Sequence, residues 1–187
     1  EKPKNPPSNF AVTGIYLLTP KIFDVIDNLK PSWRNELEIT DALDMLLKQN
    51  ENISYEIITD YWKDTGTPED IINANTQILK NYTNEKLLVG ESTVIEGDNS
   101  IILPCIIGKN CKIEKDVTIG PNASIGDNTI ITSDVEIKNS IIMSDCKIEG
   151  GLKINNSIIS ANCHLNGNNK DNSEKLFLLG EGTKISL

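Results

Sequence analysis

The sequence is poor in aromatic side chains, which make up 5% of its 187 residues. Its core therefore has to be assembled from aliphatic residues, and a hydrophobic content of 38% supplies them. Positive charge is also scarce. Lys and Arg number 18 against 27 Asp and Glu, giving a formal net charge of −9. Such a chain repels phosphate backbones, so no nucleic acid partner is expected. No apolar stretch reaches the ~20 residues that cross a bilayer, and no basic amphipathic run suits a membrane surface. No secretory signal opens the sequence, so a cytoplasmic location is expected. The first residue is not Met, and Glu1-Lys2-Pro3-Lys4 reads as the middle of a longer protein. The chain is expected to be a fragment.

What the sequence has is a repeat. Aliphatic residues recur every six positions from Val89 through Ile95, Ile101, Ile107, Ile113, Ile119, Ile125 and Ile131 to Ile137. The spacing drops to five before Ile142 and again before Ile159. The residue two before each is small or aliphatic, with Asn99 and Leu152 as the departures. Residues i and i−2 share one face of a strand, and a sustained period of six marks a parallel β-helix. The two shortened steps are expected at corners of the prism, and Leu176–Leu187 is expected to close its end.

The front of the chain has a different rhythm. Phe10–Leu18 and Ile53–Thr59 read as strands. Thr19-Pro20 opens a helix with Ile22, Phe23, Ile26 and Leu29 on its inner face. A second helix starts near Thr40, with Leu43, Leu46 and Leu47 inward. Thr67-Pro68-Glu69-Asp70 begins a third, close to a capping box and running to about Tyr82. Strands alternating with helices indicate an α/β domain. The expected division is residues 1–86 for this α/β part and 87–187 for the β-helix.

Candidate chemistry lies mainly in the front. Asp64 sits between a strand and the Thr65-Gly66 turn, where α/β domains place ligands. It reads either as a turn cap or as a carboxylate for Mg²⁺. Arg34 reads either as a phosphate fork or as a loop cation paired with Glu36 or Glu38. The four cysteines, Cys105, Cys111, Cys146 and Cys163, all fall on the small inward position, so they are expected to be structural rather than a zinc site or disulfide. The single histidine, His164, falls on an outward position and reads as an ordinary surface residue.

Four motifs and a tail then line up with one family. Glu1-Lys2-Pro3, Asn9-Phe10-Ala11-Val12-Thr13-Gly14-Ile15-Tyr16, Arg34-Asn35-Glu36-Leu37-Glu38-Ile39-Thr40-Asp41 and Trp62-Lys63-Asp64-Thr65-Gly66-Thr67 resemble the second half of the catalytic domain of glucose-1-phosphate thymidylyltransferases. The ending Phe177-Leu178-Leu179-Gly180-Glu181-Gly182-Thr183 resembles the long form of that family. The resemblance implies an α/β fragment of a Rossmann-like nucleotidyltransferase domain followed by a left-handed parallel β-helix. It implies attack of a sugar-1-phosphate on the α-phosphorus of a nucleoside triphosphate, with Mg²⁺ as cofactor and pyrophosphate released. By the same resemblance Asp64 is a metal ligand, and Glu1, Lys2, Val12 and Arg34 bind substrate, Val12 through its backbone. No residue is expected to act catalytically beyond positioning substrate and metal. The family's Gly-rich nucleotide loop and its other metal carboxylate are absent from this sequence, so these 187 residues are expected to be inactive alone. Asn35 stands where the family pattern expects Gly.

Three functional classes compete. One is a sugar-1-phosphate nucleotidyltransferase using dTTP, or UTP. Another is a bifunctional enzyme whose β-helix also transfers acetyl groups with His164 as base. The third is a non-catalytic assembly module, since flat aliphatic solenoid faces favour homo-oligomers.

Overall fold

The hexapeptide period is realised as stacked triangular coils. In the computed structural model, which describes residues 4–83, 86–167 and 173–187, each coil contributes one short strand to each of three parallel sheets. The first coil holds β1 (Leu88–Val89), β2 (Val94–Ile95) and β3 (Ser100–Ile101). The second holds β4 (Cys105–Ile107), β5 (Lys112–Ile113) and β6 (Thr118–Ile119). Then come β7 (Ala123–Ile125), β8 (Ile130–Ile131) and β9 (Glu136–Lys138), followed by β10 (Ile141–Ile142), β11 (Lys147–Glu149) and β12 (Lys153–Asn155). The fifth coil holds β13 (Ile158–Ile159), β14 (His164–Asn166) and β15 (Glu174–Lys175), and β16 (Leu178–Leu179) and β17 (Lys184–Ser186) end the stack. The sheets have six, six and five strands.

Register puts the periodic aliphatics on top of one another. Val89 pairs with Ile107, which pairs with Ile125, then Ile142, Ile159 and Leu179. Ile107 to Leu165 of the periodic series are almost wholly buried, while Val89 at the open end is 41% exposed. Both five-residue steps, Ile137 to Ile142 and Ile154 to Ile159, fall at the same corner, between the third sheet and the first.

The corners have their own chemistry. The residue just before the inward small position takes a positive φ at Asn110, Asp116, Asn122, Asn128, Asp134, Asn139, Asp145, Asn156 and Asn162. Asn and Asp tolerate this left-handed conformation better than other side chains. Their amides then stack: Asn122 Nδ2 donates to Asn139 Oδ1 at 2.9 Å, and Asn139 Nδ2 to Asn155 Oδ1 at 3.0 Å. The two departures from the repeat are accommodated. Leu152 is 3% exposed and does point inward. Gly167 lies against it, where a Cβ would stand 2.4 Å from Leu152 Cδ2. Asn99 instead serves the first coil as a bridge, accepting from Val117 N at 2.7 Å and donating to Glu96 O at 3.0 Å.

Three helices precede or flank the stack: α1 (Lys21–Ile26), α2 (Ile39–Lys48) and α3 (Pro68–Thr83). Packing divides the chain into Glu1–Asp60 and Tyr61–Leu187, so α3 goes with the solenoid. It lies on the outer face of the first sheet, where Ser124 Oγ donates to Asn75 Oδ1 at 2.6 Å. In the 1–60 unit α1 and α2 pack through Ile22, Val25, Ala42 and Leu46. Val25 takes the inner place expected of Phe23, which is 66% exposed, and Ala42 with Leu46 leaves Leu47 outside. The face is set by Ile22, Val25 and Ile26 at i, i+3 and i+4, with Leu29 packing from beyond the helix end.

The expected strands over Phe10–Leu18 and Ile53–Thr59 are not formed as such. A strand exists only by pairing with a neighbour, and neither run has a partner among the described residues. Phe10, Ile15 and Tyr55 stand exposed along them.

Candidate functional site

Arg34 sits in a tight loop closed by backbone bonds, Ser32 N to Glu36 O at 2.8 Å and Asn35 N to Ser32 O at 2.9 Å. Asn35 has φ +61, the conformation that glycine takes without strain. The Asn-for-Gly departure therefore leaves the loop intact. The guanidinium is already engaged: Nη2 lies 2.9 Å from Glu36 Oε2, and Nη1 lies 3.4 Å from Glu38 Oε1. Ser32 Oγ donates to the same Glu38 oxygen at 3.0 Å. The reading of Arg34 as a cation paired with Glu36 and Glu38 is the arrangement present. A phosphate at Arg34 has to share or displace these carboxylates. Glu38, buried to 9% exposure, organises the loop, a role beyond the Arg34 partner that the sequence suggested. Its signal was the spacing Arg34…Glu38, just ahead of α2.

Val12 is exposed, with its backbone outside any strand, as backbone recognition of a ligand requires. Glu1 and Lys2 lie outside the described residues. Val12 and Arg34 belong to the 1–60 unit and Asp64 to the 61–187 unit.

Asp64 stands in the segment that leads into α3. It is exposed, and both its carboxylate oxygens lie 3.8 Å from where a Cβ on residue 66 would be, an ordinary contact distance. The start of α3 is tied down around it. Thr67 Oγ1 accepts from Asp70 N at 3.2 Å and donates to Asp70 Oδ2 at 2.7 Å, a side-chain cap on the first turn. Lys63 Nζ lies 2.6 Å from Asp70 Oδ1. Lys63 and then Thr67 hold the Asp70 carboxyl below its ordinary range. Neither Lys63 nor Asp70 was singled out from sequence, where they read only as neighbours of better motifs.

An exposed carboxylate suits Mg²⁺, which takes one or two carboxylates and completes its shell with water and substrate phosphates. No cluster of three or more His, Cys, Asp or Glu side chains occurs among the described residues. Asp64 fits the role of one protein ligand to a metal that a phosphate substrate also holds, the second carboxylate that the resemblance implies lying outside this sequence.

On the solenoid, His164 Nε2 lies 2.5 Å from Glu149 Oε2, and Lys147 Nζ lies 2.8 Å from Glu149 Oε1. Lys147 first, then His164, lowers the Glu149 pKa. All four cysteines are free and buried, and burial pushes the Cys105 thiol up to about 11. The described residues contain no helix long and apolar enough to cross a membrane.

Residues 1–81 match the nucleotidyl transferase family, and residues 101–186 match the GMPPB C-terminal domain. A protein of Methanococcus aeolicus named bifunctional protein GlmU is 41% identical over 161 residues, covering 79% of this chain and 39% of that protein. The low-salt glycan biosynthesis nucleotidyltransferase Agl11 of Haloferax volcanii is 44% identical over 98 residues, 52% of this chain and 28% of that protein. A glucose-1-phosphate thymidylyltransferase of Streptomyces antibioticus is 33% identical across 100% of this chain and 55% of its own length. The chain thus spans about half or less of each of these relatives. Residues 1–81 are nucleotidyl transferase sequence, and the chain continues from them into a parallel β-solenoid.

Proposed function

We propose that the protein to which this chain belongs is a sugar-1-phosphate nucleotidyltransferase, with glucose-1-phosphate and dTTP as its substrates and Mg²⁺ as its cofactor. The observation that carries this is the nucleotidyl transferase match over residues 1–81, which contains Glu1, Lys2, Val12, Arg34 and Asp64. An oxygen of the sugar phosphate attacks the α-phosphorus of the triphosphate. The new P–O bond forms as the bond to the β,γ-pyrophosphate breaks, and pyrophosphate carries away the electron pair. Asp64 would be one of the carboxylates that hold Mg²⁺, which when bound would neutralise charge on the phosphates. Glu1 accepts hydrogen bonds from sugar hydroxyls, Lys2 contacts the sugar phosphate, and Val12 offers backbone groups to the sugar. Arg34 pairs the phosphate once Glu36 or Glu38 yields. Positioning and electrostatics provide the rate enhancement in this scheme. The solenoid joins copies into a homo-oligomer, and the enzyme works in the cytoplasm. The test is pyrophosphate release by the full-length protein from glucose-1-phosphate and dTTP, with UTP in parallel. Absence of pyrophosphate with every sugar phosphate and nucleotide tried would refute the proposal.

The 2.5 Å contact between His164 and Glu149 favours a second reading. A carboxylate-oriented imidazole on an outer solenoid face has the makings of a general base. The name of the Methanococcus aeolicus relative, a bifunctional protein, points the same way. Acetyl transfer from acetyl-CoA to an amino-sugar phosphate, lost in His164→Ala, is the outcome this reading requires.

A further inference from the structure

We infer that Lys63 is a positioning residue for Asp64: by pairing with Asp70 across the start of α3, it holds the Asp64 carboxylate where a divalent cation can use it. The inference rests on the proposed metal role of Asp64 and adds to it a residue that touches neither metal nor substrate.

The segment from Tyr61 to Gly66 belongs to no helix or strand, so no ladder of backbone bonds fixes it. Yet a metal site that draws a carboxylate from such a segment depends on that carboxylate being already in place, because disorder there weakens every binding event. Three side-chain contacts supply the missing order. Lys63 reaches Asp70 at 2.6 Å, Asp70 takes the Thr67 hydroxyl at 2.7 Å, and Thr67 caps the Asp70 amide at 3.2 Å. Together they close a ring on the helix, and Asp64, Thr65 and Gly66 are the residues inside it. Asp64 is itself exposed, so its carboxylate is open to solvent from within the ring. Asp70 thus serves two partners at once, with one oxygen for each. Lys63 is the member of this set that the cap does not need, because Thr67 and Asp70 form the cap without it. Its contact ties the residue before Asp64 to the helix.

Simple charge arithmetic makes the opposite forecast, and this gives the test its edge. Lys63 is a cation next in sequence to Asp64, so removing it should strengthen binding of a second cation if charge alone matters. Loss of a positioning partner should weaken it. The experiment is a titration of the full-length protein with MnCl₂ in the presence of glucose-1-phosphate, following paramagnetic broadening of the Thr65 and Gly66 amide signals. Wild type is expected to show saturable broadening at these amides, and Asp64→Asn is expected to abolish it. Lys63→Met should weaken the apparent affinity about tenfold, the scale typical of lost outer-shell partners. Lys63→Arg should restore it, and Lys48→Met on α2 should leave it unchanged. Unaltered amide positions throughout the solenoid show that each variant is folded. Binding by Lys63→Met as tight as wild type, or tighter, overturns the positioning role and leaves the metal role of Asp64 standing. Broadening that is absent in wild type, or that survives Asp64→Asn, overturns both.

Discussion

The thiol of Cys146 lies 3.2 Å from the carbonyl oxygen of Ser160 in the following coil. The same contact recurs along one inward column, from Cys111 to Gly126 and from Cys163 to Gly180, each at 3.2 Å. Two threonines share the column: Thr93 donates to Gly108 O at 2.7 Å, and Thr129 to Met143 O at 3.3 Å. Cysteine and threonine are therefore interchangeable donors here. Cys146→Thr should change stability by less than about 1 kcal/mol, whereas Cys146→Val, which matches threonine in volume and loses the donor, should cost about 1–2 kcal/mol. Denaturant midpoints of the two variants decide this. Equal midpoints would mean that the thiol bond contributes nothing.

The ladder and the outer face should differ sharply in their response to truncation. Ile137 is fully buried, while Ile130, in the neighbouring strand, faces outward and is 36% exposed. Ile137→Ala should cost about 2–5 kcal/mol. Ile130→Ala should cost less than about 1 kcal/mol. The thermal midpoints of the two variants provide the comparison.

Asn35 at φ +61 makes a backbone prediction. Asn35→Gly should be close to neutral. Asn35→Ala should destabilise the Arg34 loop by about 1 kcal/mol, since a Cβ without a local polar group pays for the left-handed conformation. Amide exchange at Ser32 and Asn35, whose N–H groups close the loop, reports the difference.

Glu149 should give the solenoid a pH signature. Its carboxyl is held below the ordinary value of 4.5 by Lys147 first and His164 second. A depressed folded pKa contributes stability above the unfolded value, and that contribution is lost as pH falls through the folded pKa. The effect therefore lies in the acid range, below about pH 4.5. Lys147→Met should move the Glu149 carboxyl carbon titration back towards the ordinary value. An unchanged titration would show that the 2.8 Å contact carries no weight in solution.

The 187 residues by themselves should release no pyrophosphate from glucose-1-phosphate and dTTP. The sequence contains no Gly-rich phosphate loop to cradle a triphosphate. Turnover above background in the purified chain would contradict this expectation.

How much of this could be read in advance differs between the two parts. The solenoid was legible because one periodicity fixes burial, register and topology together: Ile107, Ile125 and Ile142 announce their stacking by spacing alone. Its corners carried a second signal that the sequence reading passed over, the Asn or Asp just before each small inward residue. The front was harder. Leu47 and Phe23 look as apolar as their neighbours, and only helix phase against a specific partner decides which turns inward. Phe10–Leu18 has strand composition, but composition does not provide a partner strand. At the site, Asp64 and Arg34 were legible through motifs. The links from Lys63 to Asp70 and from Ser32 to Glu38 were not, because each depends on a local fold that brings the two side chains together across a turn.

The stacking also makes the solenoid a ruler. Each coil advances the stack by one strand spacing, about 4.8 Å, so five spacings separate β1 from β16, about 24 Å in all. That length is quantised. Whatever the two ends carry can be moved apart or together only in whole-coil steps, most often of 17 or 18 residues, as in the registers of Ile125 with Ile142 and of Val89 with Ile107. The coil that sets Ile159 against Leu179 takes 20, so extra length is accommodated between strands, whereas a one-residue shift within a strand would turn its buried isoleucine to the surface.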